Sequence, residues 1–183
     1  MKTFITSDTH WGHSNIIKFC PETRSQFKDV DHMDQEMIRM WNEIVSPDDL
    51  VYHLGDVAFC NAAKATAIMN RLHGRKILVQ GNHDSKLVKD DGFRACFEEI
   101  HHYLVVNYNG IRLILCHFPF CEWDQCSRGS INFYGHLHQN PSGMEKYRSR
   151  NVGFDCTGRI VSTMEEMIAD ALKGEIKKHG NGE

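Results

Sequence analysis

Leu50-Val51-Tyr52-His53-Leu54-Gly55-Asp56 is an apolar run that stops on a glycine and a carboxylate. A short apolar stretch closed by a turn signal reads as a buried strand, which puts the acid just past the strand's carboxyl end. Moving toward the N-terminus, Val30 to Ile44 spaces its apolar residues as an amphipathic helix, and Lys2 to Thr6 reads as a strand. Moving the other way, Asn61 to Leu72 reads as a helix capped by Asn61, and Lys76 to Gln80 as a third strand. This βαβαβ progression predicts an α/β fold with a mainly parallel sheet, in which ligand sites gather beyond the carboxyl ends of the strands.

The second half changes character. Tyr103 to Tyr108 and Ile111 to Cys116 flank Asn109-Gly110, a strong hairpin signal, so an antiparallel pair is expected. Asn132 to Tyr134 and Val152 to Phe154 read as further short strands. Ser162-Thr163-Met164-Glu165 matches a capping box opening a last helix that runs to about Lys173 and stops at Gly174. One domain over 1–173 is expected, with 174–183 a frayed tail.

Composition narrows the classes. With 21 Lys and Arg against 24 Asp and Glu, the net charge is −3, so stable binding to duplex nucleic acid is disfavoured. No apolar run approaches the ~20 residues that span a bilayer, and Met1-Lys2-Thr3-Phe4-Ile5 leads straight into a strand without a signal-peptide core. The seven cysteines form no CxxC pair and suit reduced thiols. A cytoplasmic protein without a membrane partner is the expectation.

Metal-type ligands follow the predicted strands in five places: Asp8-Thr9-His10, Gly55-Asp56, Gly81-Asn82-His83-Asp84, His117 and Gly135-His136-Leu137-His138. In extended backbone, residues two apart share a face, so Asp8 with His10 and His136 with His138 are expected to form pincers around an ion. Glycine before Asp56, Asn82 and His136 allows a sharp turn and close backbone approach. A single such histidine would be read as a hydrogen-bonded core residue. The set is another matter, because it places oxygen and imidazole ligands suited to divalent metals at nearly every strand end where an α/β site is built.

In order and spacing, D-x-H, G-D, G-N-H-D, H and G-H-x-H closely resemble the calcineurin-like metallophosphoesterases. Thr6 to His13, Val51 to Asp56 and Asn151-Val152-Gly153-Phe154-Asp155 resemble a compact bacterial and phage-type subgroup, and the resemblance runs from Met1 to about Ala171. It implies a four-layer αββα sandwich of two mixed sheets with a dinuclear centre. Carried over by position, it puts Asp8, His10, Asp56 and His138 on one ion, and Asn82, His117 and His136 on a second, with Asp56 bridging. The cofactor expected is a pair of divalent ions, manganese by resemblance, with iron, zinc, nickel or cobalt also suited to the ligand set.

Two such ions would outweigh the Asp8 and Asp56 carboxylates and attract a phosphate, and the expected reaction is direct attack by a metal-bridging hydroxide with inversion at phosphorus. His83 is the expected general acid, with Asp84 next to it to orient and charge its ring. His13, Arg24 and Arg128 are candidate substrate contacts; His13 reads equally as decoration of a helix start, and each arginine alternatively as a solvated charge. Trp11 and Trp123 read as packing residues before they read as a stacking wall, and His53 as a hydrogen-bonded core residue. The expected substrate is a small nucleotide-like phosphodiester. The rival readings are a phosphomonoesterase, a nuclease on single-stranded or structured nucleic acid, and a non-catalytic scaffold on the same fold.

Overall fold

The computed structural model describes residues 1–178. In chain order its principal elements are β1 (Thr3–Thr6), α1 (Ile16–Phe19), α2 (Pro21–Arg24), α3 (Val30–Ile44), β2 (Leu50–His53), α4 (Ala62–Met69), β3 (Arg75–Val79), α5 (Asp91–Arg94), β4 (Glu99–His101), β5 (Tyr103–Tyr108), β6 (Ile111–Cys116), β7 (Ile131–Tyr134), β8 (Ser149–Asn151), α6 (Phe154–Thr157), β9 (Ser162–Thr163) and α7 (Met164–Ala171).

Two mixed sheets result, ordered β4-β3-β2-β1-β9 and β5-β6-β7-β8. In the first, β1 to β4 run parallel and β9 returns antiparallel to β1. In the second, β5 and β6 form the expected antiparallel hairpin and β7 and β8 continue parallel to β6. Asn109 and Gly110 both have positive φ, the requirement of the two-residue turn whose twist matches its strands.

The period-2 alternation of the first sheet feeds two cores. Phe4, Val51 and Leu78 point outward against Met33, Met37 and Trp41 of α3 and Ile68 of α4. Ile5, Tyr52, Ile77 and Val79 point inward, against Leu113, Leu115, Ile131 and Phe133 of the second sheet. A strand buried on both faces reads as a continuous apolar run, which is why these strands are legible. Along α3, Met33, Met37 and Trp41 recur at the four-residue step of one helix face, and Asp29 caps the helix by accepting from the His32 N–H at 2.8 Å. The outer face of the second sheet is covered more thinly, by Trp123 and Cys126 packing on Ile114. Among the described residues no helix is long and apolar enough to cross a membrane.

Three expectations need correction. Val152 to Phe154 is not a strand: β8 ends at Asn151, Gly153 bridges to Ser7, and Phe154 opens α6. This crossing segment ties the second sheet to the end of β1. The capping box lies one residue later, between Thr163 and Glu166, because α7 opens at Met164 and so makes Thr163 the cap. Nor does the tail fray at 174: the Glu175 N–H donates to the Lys146 carbonyl at 2.9 Å, and the Lys177 ammonium lies over the Tyr147 ring. The rest of that expected tail, 179–183, lies outside the described residues.

Parallel strands share a direction, so the carboxyl ends of β1, β2 and β3 lie at one rim, and those of β6 and β7 at one rim of the facing sheet. The residues that follow these five strands are the ones that carry the candidate ligands.

Candidate metal centre

The strand ends bring seven of the predicted residues into two groups. Ligand atoms of Asp8, His10 and His138 lie within 4.8 Å of one another, as do those of Asp56, His117 and His136. Asp56 stands between them, its Oδ2 being 3.8 Å from His10 Nε2 and 3.5 Å from His117 Nε2. Asn82 joins the second group, with Oδ1 3.0 Å from His117 Nε2.

The buried polar atoms fit cations. Both ring nitrogens of His10 are buried without a hydrogen-bond partner, and among the described residues no lysine or arginine side chain pairs with the buried Asp8 and Asp56 carboxylates. An orphaned imidazole is costly, as is a buried carboxylate with no fixed cation, and divalent ions facing both groups would satisfy them. Burial lifts the Asp8 carboxyl to about 6, against the pull of His117 and His138. Burial also drives His10 well below the usual imidazole range, which keeps the ring neutral with one nitrogen free to bind a cation. Asp56 shares the burial penalty, but the His117 bond and charge and the His83 N–H overcome it and hold the carboxyl below the usual range.

The ligand loops do not use extended backbone. Asp8, His10, Asp56, His136 and His138 all have φ between 50° and 70°, so the pincers expected from strand alternation are made by left-handed turns instead. A left-handed conformation costs a non-glycine residue roughly 1–2 kcal/mol, so the surroundings must over-determine it. They do so by hydrogen bonds. Asp8 N–H donates to the Gly55 carbonyl at 3.0 Å, His10 N–H to that of Asp56 at 3.1 Å, and His136 N–H to the Asp8 carboxylate at 2.9 Å. A Cβ on Gly55 would run into the Gly81 backbone, and one on Gly135 into Ser7 and Asp8, so these glycines set how closely the loops approach.

Asp84 belongs to this scaffold. Its carboxylate accepts the N–H groups of Asp56 and Val57, both at 2.9 Å, and of Gly81 at 2.8 Å. The expectation that it orients the His83 ring is therefore corrected: Asp84 is fully buried and clamps the two ligand loops together.

Arg24 is corrected in the same way. It is fully buried, donating through Nε and Nη2 to both Asp155 oxygens at 2.7 and 2.9 Å, and to the Asp8 and Thr9 carbonyls at 2.8 and 3.0 Å. A guanidinium so engaged has no face for a substrate phosphate. What it supports is Asp155, whose Oδ2 lies 2.7 Å from His138 Nδ1 and leaves Nε2 turned to the centre. Burial opposes the His138 imidazolium, yet the Asp155 bond and the Cys20 contact overcome it and raise the ring to about 10.

Asp155 was assigned no role from the sequence, although it closes the Asn151 to Asp155 segment. Its signal was an acid closing the short run Val152-Gly153-Phe154; its partners, 131 and 17 positions away, were not visible there. His117 is oriented differently, its Nδ1 lying 2.7 Å from the Leu54 carbonyl.

His83 stands at the open rim, 43 % exposed, with Nε2 3.9 Å from Asp56 Oδ2. His13 lies beside it, its ring 5.5 Å from that of His10 and 4.4 Å from that of Phe59. Arg128 is not brought to the site: it precedes the start of β7, whereas His136 follows the end of that strand. Trp11 and Trp123 are buried packing residues, and His53 is a buried core residue whose ring meets Thr9 Oγ1 at 2.9 Å, burial pushing its pKa down to about 3.

Comparison with known proteins gives the family. Residues 1–157 match the calcineurin-like phosphoesterase superfamily domain. An uncharacterized protein of Methanocaldococcus jannaschii, MJ1445, is 34 % identical over 96 % of this chain and 94 % of its own length. The Gene 66 protein of Mycobacterium phage L5 is 28 % identical over 89 % of this chain and 91 % of its own. Among solved structures, a protein of unknown function from Aquifex aeolicus, AQ665, superposes with a TM-score of 0.69 at 27 % identity, covering 91 % of this chain and 97 % of that one. The chain belongs to the calcineurin-like phosphoesterase superfamily.

Proposed function

We propose that the chain is a dinuclear metal-dependent phosphodiesterase acting on a small nucleotide-like substrate. The observation that carries this reading is the pair of ligand groups with Asp56 between them. Asp8, His10 and His138 would hold one ion, and Asn82, His117 and His136 the other, with Asp56 shared. Divalent ions bound there supply Lewis-acid activation of the phosphoryl group and of water. Manganese is our choice, and the mixed carboxylate, amide and imidazole donors suit iron, zinc, nickel or cobalt as well. Free thiols at all seven cysteines favour the cytoplasm.

The chain's own residues supply the rest. The buried carboxylates of Asp8 and Asp56 fix the ions and leave the centre net positive, which draws a phosphate anion. His83 is exposed at the rim, where its ring faces a leaving oxygen, while its backbone N–H, bonded to Asp56 Oδ1 at 2.9 Å, anchors it to the centre. It is placed to hand that oxygen a proton. Two clefts leave the centre on either side of Phe59 and His83, of about 420 and 450 Å³. A diester has two arms to place and a monoester one, so the paired clefts favour the diester.

The test is turnover of bis-p-nitrophenyl phosphate against p-nitrophenyl phosphate by manganese-loaded protein, with Asp56→Asn as the inactive control. A preference of about tenfold or more for the diester, some 1.4 kcal/mol of transition-state binding, is expected. The reverse preference would make the protein a monoesterase, and metal binding without turnover of either would make it a scaffold. His83→Ala is expected to lower turnover of esters with poor leaving groups by about 10²- to 10⁴-fold and to affect p-nitrophenyl esters far less. Equal losses on both would remove the proton-donor role.

A further inference from the structure

The phenylalanines divide sharply. Phe19, Phe59 and Phe118 are 64, 50 and 43 % exposed. All three stand at the metal centre: Phe59 packs against the rings of His13 and His83 at 4.4 and 5.3 Å, Phe19 against His13 at 6.2 Å, and Phe118 against His136 at 4.8 Å. Apolar rings left in water at the mouth of a polar site have a use for their faces.

Phe19 and Phe59 form walls of the 420 Å³ cleft, with the imidazoles of His10 and His138 on one side and the amides of Gln139 and Asn140 at another. That volume is within the usual range of small-molecule sites, about 300–1,000 Å³. Among the described residues no lysine, arginine or carboxylate lines it, and its histidines stand toward the metal centre, so the part of a ligand held between the phenylalanines is uncharged. Its apolar walls suit a flat aromatic face, and the amides suit a polar edge carrying both donors and acceptors. An acyl chain would fill the walls and leave the amides unused. The neighbouring cleft shares Phe59 and His83 but runs instead past Ser85 and Lys86.

We propose that the cleft between Phe19 and Phe59 is a nucleobase subsite, holding the base of a nucleoside phosphodiester whose phosphate sits on the metal centre while the second ester arm leaves past Ser85 and Lys86. This deepens the phosphodiesterase reading and rests on it. It replaces the buried tryptophans with exposed phenylalanines as the stacking surface.

The experiment compares kcat/KM of manganese-loaded protein on thymidine 5′-(p-nitrophenyl phosphate) and on the same diester lacking the base, with a methoxy group at the sugar C1. The leaving group is identical, so the ratio reports the base alone. A preference of at least about tenfold for the nucleoside is expected, and Phe59→Ala or Phe19→Ala should lower the ratio about 5- to 100-fold toward unity, the range of one base–aromatic stack. Phe59→Tyr, which keeps the ring, should retain the ratio. Equal turnover of the two diesters by the wild type, or a ratio unmoved by both alanine variants, overturns the subsite. If neither diester is hydrolysed, the phosphodiesterase reading fails, and the cleft is judged by binding of AMP against ribose 5-phosphate to the loaded protein: about fivefold tighter AMP binding, lost in Phe59→Ala, supports it, and equal binding overturns it.

Discussion

His138 is oriented for the metal centre by a carboxylate and His117 by a backbone carbonyl, and that difference extends through the two halves of the site. Behind the Asp8, His10 and His138 group lies a network of charged side chains, in which Arg24 joins Asp155 to the Asp8–Thr9 backbone. Behind the Asp56, Asn82, His117 and His136 group lies mostly main chain: the Leu54 carbonyl, and the N–H groups of Asp56, Val57 and Gly81 gathered by Asp84. One half is organised by electrostatics and the other by the turns of the fold. Single substitutions should therefore disable the first half selectively, whereas the second should fail only together with local folding.

The largest effect is expected where the halves meet. Asp56 Oδ2 lies within 3.8 Å of a histidine nitrogen of each group, so Asp56→Asn removes a charge that both would use. Loss of kcat/KM on the order of 10³-fold or more is expected, with metal content falling at both positions when measured by elemental analysis. A variant that kept one ion fully bound would show that the carboxylate serves one half alone, and the comparison would lose its shared member.

Asp155→Asn separates the halves. It weakens the hold on His138 and leaves the Arg24 guanidinium, fully buried, against a neutral partner. Metal affinity should drop about 10- to 100-fold in the first half only, so titration should turn from two similar sites into one tight and one weak. Asp84→Ala should do the reverse. Three buried N–H donors lose their acceptor, each at about 1–3 kcal/mol, so a fall in melting temperature should come first and loss of metal should follow it. Uniform weakening of both ions by Asp155→Asn would erase the distinction.

The same contrast decides what could be read from residues in order. Strands buried on both faces advertise themselves, and α3 was expected and found at Val30–Ile44 because its apolar face repeats over four turns. Helices α1 and α2 have four residues each, too few for any period to show. The ligand residues could be picked out as donor types at strand ends, but not their left-handed turns, since aspartate and histidine do not declare φ as glycine does. Least legible were the supports. Arg24 and Asp155 look like loop charges until folding brings them together, and Asp84 seemed to serve its neighbour His83 when it serves main chain instead. Contacts made through a backbone N–H or across 131 positions leave no local mark.

The smallest effect, a pH dependence, bears most directly on the electrostatic half. Without metal, the folded His138 ring holds its proton to about 10, while in the unfolded chain it releases it near 6.5. Between those values the folded state binds the extra proton, so stability is fully present below 6.5 and falls as pH rises toward 10, by at most about 1.4 kcal/mol per pH unit. His10 and His53, lowered by burial, act in the opposite sense on the acid side and together outweigh Asp8, whose raised carboxyl favours the folded state below about 6, so stability rises with pH up to about 6.5. Chelator-treated protein should therefore melt highest near pH 6.5 and progressively lower from pH 7 to 9.5. Metal-loaded protein should lack the alkaline decline, because the ion replaces the proton on His138. Asp155→Asn should shrink it even without metal, since the carboxylate that does most to hold the His138 proton is gone, and leave only the share of His117, which Asp56 raises. An alkaline slope left undiminished by this substitution would mean that His138 owes its charge to Cys20 and Asp8 rather than to Asp155, and the first half of the site would lose the charged support that sets it apart from the second.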